Sequence, residues 1–491
     1  LVTLPPEPIE CKNLIGGQFV RPSSGRSRDI ESPYDGRQIG RVGMSNASDV
    51  ERALLAAEQA FPAWAATPLR ERTRRLSRFR ELVITHEDDL AHSVAIESGK
   101  TADEARAGIH RGLEVAEFAL SLPSADAGGA LEVSRGVTCE YRREPLGVVV
   151  GITPFNFPAM VPMWMFPIAL TVGNAFILKP SEKVPLTACR LGELALEAGY
   201  PPGIFSVVHG DREAVEALAE HPAVKAVGFV GSSAAARAVY TRATAAGKRA
   251  LCLGGAKNSI IVAPDADERL TIQSVVDSFT GCAGQRCMAA SLLVAVDDRR
   301  GLVEKIAETA SRIRLGSGMG ALIDRAAKER LERAIAVAER EGAAVLLDGR
   351  RAAAPEGGEN GNWMGPTVLD RARPDMECAR AELFGPLLTV VRVATLDEAL
   401  AVDRSSAYGN ATSVFTTSGA VARYVSERAQ SGMIGVNVGV PVPRDPFSFG
   451  GTRDSKLGHG DITGQGGVEF WSTLKKITTK WALQPDATWM S

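Results

Sequence analysis

The chain reads as an α/β protein of two domains, each a mainly parallel sheet covered by helices, and three observations carry this. Its 491 residues exceed the roughly 250 to 300 at which a single core stops growing. Its apolar fraction of 45% and charged fraction of 23% are ordinary globular values, so a sizeable core is available. Strand-like and helix-like segments alternate in two separate series, and such alternation gives parallel sheets that bind ligands at the carboxyl ends of their strands.

Ser48-Asp49-Val50-Glu51 reads as a capping box that opens an amphipathic helix, with Val50, Leu54, Leu55, Ala57 and Phe61 on its apolar side. A second helical region is expected over residues 69–98 and a third over 102–122. The first βα series then places strands at 148–152, 175–178, 205–208 and 226–230, with helices at 161–172, 186–197 and 212–220 between them. The second places strands at 259–263, 292–296, 344–347 and 387–391 and ends around 436–438. Residues 131–142 and 474–481 alternate in polarity and read as exposed strand.

Composition excludes several function classes. A formal net charge of -2 gives no electrostatic case for nucleic acid or an anionic membrane surface. The run Arg70, Arg72, Arg74, Arg75, Arg78 and Arg80 is interleaved with Leu76 and Phe79 at helical spacing and reads as a solvated helix face. Residues 145–178 carry no charge and are long enough to span a bilayer. Pro154, Pro158, Pro162 and Pro167 interrupt them, so a buried strand, a turn and a core helix are expected instead, and no membrane partner. Seven widely spaced cysteines oppose a disulfide framework and point to a reducing compartment: the cytoplasm, or the mitochondrial matrix in a eukaryote. There is no CxxC pair or His-x-x-x-His spacing, hence no expected metal site. Residues 1–8 have neither the basic nor the apolar region of a signal peptide.

The segment with most chemistry is Phe279-Thr280-Gly281-Cys282-Ala283-Gly284-Gln285-Arg286-Cys287-Met288. A cysteine thiol titrates near pH 8.5 unless a nearby positive charge favours the nucleophilic thiolate, and Arg286 is placed to supply such a charge to Cys287. A structural cysteine beside a surface arginine would give the same dipeptide. Phe229-Val230-Gly231-Ser232-Ser233 is a strand, a Gly-Ser turn and a helix start, which would set free N–H groups against a phosphate; an ordinary βα turn reads alike. No G-x-G-x-x-G occurs.

Four segments stand in a telling order: Pro154-Phe155-Asn156-Phe157-Pro158, Leu178-Lys179-Pro180-Ser181-Glu182, the cysteine segment, and Glu382-Leu383-Phe384-Gly385-Pro386. With Glu97-Ser98-Gly99-Lys100 and Gly254-Gly255-Ala256-Lys257-Asn258, they resemble the NAD(P)-dependent aldehyde dehydrogenase superfamily over about residues 13–481. The resemblance implies two Rossmann-like α/β domains, an NAD-binding domain of residues 1–125 and 146–257 and a catalytic domain of residues 258–445. It also implies a β-strand oligomerisation arm (126–145 and 470–491), and so a homodimer or homotetramer. It makes Cys287 the nucleophile, with the Asn156 amide and the Cys287 N–H stabilising the oxyanion. It places Thr153, Phe155, Lys179, Glu182, Lys183, Ser232, Gly254 and Glu382 around the cofactor. A carboxylate at Glu182 repels a 2′-phosphate, so NAD is preferred over NADP.

An absence narrows the chemistry. Hydrolytic members of that superfamily carry a glutamate base where this chain has Leu253, and neighbouring Cys252 is no carboxylate either. The Gly-Gly-Ala-Lys-Asn segment, residues 158–167 and Gly284–Ala289 are similar to the methylmalonate-semialdehyde dehydrogenase branch, whose members are CoA-acylating. That likeness implies a small aldehyde and coenzyme A as substrates, Arg111 and Arg286 on the substrate carboxylate, and Phe447 and Phe449 in the substrate tunnel. Three differences stand out: Ser259 replaces a histidine, Arg444-Asp445-Pro446 replaces an apolar stretch, and the loop at 315–323 is short. A non-acylating dehydrogenase of another small aldehyde and a catalytically idle relative are the competing readings.

Overall fold

The computed structural model describes residues 3–125, 128–298 and 300–481. Its first sheet has eight strands in the order Lys456–Gly458, Arg249–Leu253, Val224–Val230, Val148–Ile152, Ala175–Lys179, Phe205–Val207, Asn13–Ile15 and Gln18–Val20. The five strands from Arg249–Leu253 to Phe205–Val207 run parallel. Val148–Ile152 and Ala175–Lys179 are buried at every position, as continuous apolar runs must be when helices cover both faces of a sheet. From Val148–Ile152 the chain winds outward to Ala175–Lys179 and Phe205–Val207, then returns on the other side as Val224–Val230. That reversal opens a crevice at the carboxyl ends of Val148–Ile152 and Val224–Val230.

The second sheet has seven strands in the order Ala344–Leu347, Thr367–Asp370, Leu387–Val393, Ala290–Val296, Asn258–Val262, Ala411–Phe415 and Met433–Val436. All pair in parallel except Ala344–Leu347, which lies antiparallel on the edge. A βα series predicts a parallel strand there; the chain instead turns back through residues 348–366 without a crossover helix long enough to reverse it. Strands Gly129–Ser134, Val137–Pro145 and Ser472–Lys480 form a third, antiparallel sheet, with Leu131, Val133, Tyr141 and Leu474 exposed. Residues 126, 127 and 482–491 of the expected arm lie outside the described residues.

Most predicted elements occur within a few residues of their expected limits; three readings change and one small sheet was not expected. The first helix, Ala47–Ala66, is capped by Asn46, not Ser48: Asn46 Oδ1 accepts from Asp49 N at 3.1 Å and Asp49 Oδ2 from Asn46 N at 3.2 Å. The expected helix over 69–98 is two, Leu69–Thr85 and Glu87–Ser98, which join at His86. Arg72 is no part of a solvated face. Its guanidinium is buried and donates to the carbonyls of Thr67 (2.6 Å) and Thr171 (2.8 Å), and burial lowers its pKa to about 10. The small N-terminal sheet of Ile9–Cys11, Gln38–Gly43 and Ser27–Glu31 had no sequence signal.

The uncharged stretch folds as the buried strand Val148–Ile152 and the buried helix Met160–Thr171. Among the described residues no helix is long and apolar enough to cross a membrane. The short loop at 315–323 docks on the Glu-Ser-Gly-Lys segment, where Ala321 N donates to Gly99 O at 2.8 Å.

Candidate active site

The crevice of the first sheet is a cleft of about 880 Å³. Asn156, Cys287, Thr153, Phe155, Lys179, Glu182, Lys183, Ser232, Gly254 and Glu382 all line it. Ten residues spread over 230 positions therefore converge on one cavity. Its floor is the amino edge of the second sheet, because Asn258, Cys287 and Asn410 all stand at or just before the starts of its strands. The cleft thus lies at the carboxyl edge of the first sheet and the amino edge of the second.

The cysteine loop owes its shape to a run of left-handed residues, Cys282 (φ 55°), Ala283 (φ 51°) and Gly284 (φ 67°), which end the helix Glu268–Thr280 and reverse the chain. Only glycine fits at 284. A Cβ there would lie 2.0 Å from Gly385 O, so the cysteine loop packs main chain to main chain against the Glu382–Pro386 segment. Gln285 fixes the next residue: its Oε1 accepts from Ile323 N at 3.0 Å. The Cys287 carbonyl accepts from two side-chain amides, Asn258 Nδ2 at 2.7 Å and Asn410 Nδ2 at 2.9 Å. Asn258 stands in a motif legible in the sequence. Asn410 had no signal, since an isolated Tyr-Gly-Asn between strands looks like any turn.

Asn156 Nδ2 donates to Gln285 O at 2.9 Å, which holds the amide beside Cys287 and leaves its second N–H free. Burial, then the charge of Glu382, push the Cys287 thiol up to about 12; Arg286 and the local backbone N–H groups pull it down by less. Arg286 favours the thiolate as expected, but burial and Glu382 outweigh it and the thiol is not acidic. The guanidinium turns instead to the end of the preceding helix, where Nη2 donates to Asp277 O at 2.6 Å and Ser278 O at 2.8 Å, while Nε is buried without a partner.

On the cofactor side, Lys179 is buried and meets Glu182 at 3.4 Å; burial lowers its pKa, and Glu182 partly restores it. Ser232 caps the helix Ser233–Ala245. Lys183 reaches over the cleft to Asp324 at 2.6 Å, a partner the sequence did not suggest. Glu382 accepts from Ala256 N at 3.0 Å, and burial pushes its carboxyl up to about 7. Gly255 makes room for it: a Cβ there would lie 2.5 Å from Glu382 Oε2.

A second cavity, about 190 Å³, meets the first at Phe157 and Cys287 and is lined by Arg111, Trp164, Arg286 and Val442. Phe447 and Phe449 do not line it. Phe447 is 74% exposed, and Phe449 is buried behind Trp164 with ring centroids 4.6 Å apart. The base position is apolar, because Leu253 is a buried strand residue paired with Val230. The carboxylate nearest in this second cavity, Glu104, is engaged by the N–H groups of Thr101 and Cys282. Among the described residues no cluster of three metal-ligating side chains occurs, and the cysteines are all free.

A cysteine thus stands at the junction of a long cleft and a small cavity, with an amide held beside it. Residues 19–477 match the aldehyde dehydrogenase family, and the chain belongs to that family. Malonate-semialdehyde dehydrogenase 1 of Geobacillus thermodenitrificans is 42% identical over 96% of this chain and 98% of its own length. The mitochondrial acylating methylmalonate-semialdehyde dehydrogenase of Arabidopsis thaliana is 42% identical over 98% of this chain and 80% of its own. Among solved structures, the methylmalonate-semialdehyde dehydrogenase of Oceanimonas doudoroffii superposes with a TM-score of 0.95 at 40% identity, over 97% of this chain and 99% of that one. A proposed methylmalonate-semialdehyde dehydrogenase of Sinorhizobium meliloti 1021, solved with NAD, also gives 0.95, at 39% identity over 98% and 99%.

Proposed function

We infer that this protein is a CoA-acylating, NAD-dependent semialdehyde dehydrogenase that converts malonate or methylmalonate semialdehyde to acetyl-CoA or propionyl-CoA. The observation that carries it is a cysteine at the junction of the two cavities with a buried apolar residue, Leu253, at the position read as that of a water-activating base.

The cleft fits NAD. Lys179 has three N–H donors and one distant partner, which leaves donors for ribose hydroxyls. Glu182 lines the same wall and disfavours a 2′-phosphate, and the capped start of helix Ser233–Ala245 suits a pyrophosphate. NAD supplies the hydride acceptor. Cys287 gives up its thiol proton to solvent, its Sγ attacks the aldehyde carbon, and the free N–H of Asn156 with the Cys287 N–H stabilises the oxyanion. Arg111, with the unpaired Nε of Arg286, holds the substrate carboxylate in the smaller cavity. Once hydride has left, Cys287 carries a thioester. Its substrate carboxylate departs as carbon dioxide, the enolate left behind takes a proton from solvent, and the coenzyme A thiol then takes the acyl group while its proton returns the Cys287 sulfur to the thiol.

The exposed edge of the three-stranded arm supports a homodimer or homotetramer, and seven free cysteines support a reducing compartment. Mixing enzyme, NAD and semialdehyde without CoA should give an NADH burst of about one per site, followed by slow turnover. Adding CoA should restore the rate with acyl-CoA as product. Free acid formed at full rate without CoA would overturn the acylating reading and leave the non-acylating one.

A further inference from the structure

Arg111 is the guanidinium placed to hold a substrate carboxylate, yet in this structure it already has an anion. Its Nη1 donates to Glu114 Oε2, one helical turn on, at 2.5 Å. The other oxygen of Glu114 accepts from Arg444 Nη1 at 3.0 Å. Arg111 is partly buried against the small cavity, with a side chain 24% exposed, whereas Arg444 stands outside at 72%. Arg286 and Glu104 line the same cavity as Arg111, and beside Arg444 stands Asp445, whose carboxyl is pushed up to about 6, by burial first and then by Glu114, and whose Oδ1 is buried without a partner. Arg444 therefore pairs across to Glu114 and not with its neighbour Asp445.

One carboxylate thus bridges an inner and an outer guanidinium. An incoming substrate carboxylate must compete with Glu114 for Arg111, and a Glu114 with no other cation would both block Arg111 and repel the substrate. We propose that Arg444 is a specificity-determining positioning residue: by sharing Glu114 from outside the cavity it weakens the hold of Glu114 on Arg111, so that the carboxylate of a semialdehyde substrate can displace Glu114 from it. The site is thereby tuned to aldehydes bearing a carboxylate, over uncharged ones of the same size. This rests on the semialdehyde reading given above.

The measured quantity is the ratio of KM for malonate semialdehyde to KM for propanal, at low salt. Because Arg444 is exposed, Arg444→Leu should raise that ratio about two- to fivefold, Arg444→Lys should restore most of it, and added salt should shrink the difference. In a Glu114→Gln background the same Arg444→Leu change should leave the ratio unmoved, since no anion remains to be held. An Arg444→Leu effect that persisted there would mean direct attraction of the substrate and would overturn the positioning role. Arg111→Leu separates the two readings. If it moves the ratio and Arg444→Leu does not, the proposal alone falls. If it affects both aldehydes alike, the carboxylate clamp falls and takes the proposal with it.

Discussion

Gly284→Ala tests whether the nucleophile is placed by main-chain contact between two distant motifs. In the structure a Cβ at 284 would sit 2.0 Å from Gly385 O and 2.2 Å from Gly385 C, where ordinary contact begins at 3.4 Å. The segments would have to part by about 1.4 Å, in a region where overpacking costs about 1 to 3 kcal/mol. The left-handed backbone, φ 67°, adds about 1 to 2 kcal/mol for alanine. Cys287 lies three residues on and Glu382 three residues before Gly385. A displacement near 1 Å of a reacting group costs about a hundredfold in rate. The molecules that remain folded should therefore lose about a hundredfold in kcat, on top of the loss of stability. Steady-state NADH formation and thermal unfolding would be measured beside Gly342→Ala, whose φ of 101° carries the same kind of backbone strain with nothing within 4 Å. Gly342→Ala should lower stability by about 1 to 2 kcal/mol and leave kcat alone. Wild-type kcat in Gly284→Ala, or equal effects of the two changes, would refute the packing argument.

Cys287→Ala should abolish NADH formation while NAD still binds by calorimetry, and Cys282→Ala should stay active; the opposite pattern would move the nucleophile. Because the Cys287 thiol is pushed up to about 12, its alkylation by iodoacetamide should rise about tenfold per pH unit from 7 to 9, the slope of a group titrating well above the range. Glu382→Gln removes a negative charge that raises this pKa, so alkylation at fixed pH should be faster; a plateau near pH 8.5 or a slower variant would contradict this. Asn410→Ala leaves Asn258 alone on the Cys287 carbonyl. The loss of one neutral hydrogen bond, about 1 kcal/mol, should lower kcat roughly fivefold with little change in NAD affinity, whereas an equal loss of NAD binding would mean a general structural role.

The motifs that carry the chemistry were legible because each requires particular side chains at fixed local spacing. Asn156 between two prolines, Lys179 and Glu182 after a strand, and Cys287 after a glycine turn all meet in one cleft. The βα order was legible for a related reason: a strand buried on both faces must be apolar throughout, so Val148–Ile152 and Ala175–Lys179 announce themselves. Asn410 and Asp324 were not legible. Each acts through a partner more than a hundred residues away, Cys287 O and Lys183 Nζ, and such a contact leaves no periodic trace. The charge state of Cys287 was also out of reach, because Arg286 follows local sequence but desolvation and Glu382 follow the fold. Phe447 and Arg444 show the same limit: the family likeness put Phe447 and Phe449 in a tunnel wall beside Arg444, and packing turned the Phe447 ring to solvent and the guanidinium to Glu114. The sequence by itself determined which groups this protein has to react with. Only the tertiary structure decided which of them are paired, dehydrated or free, because those properties depend on distances between residues that the chain order does not set.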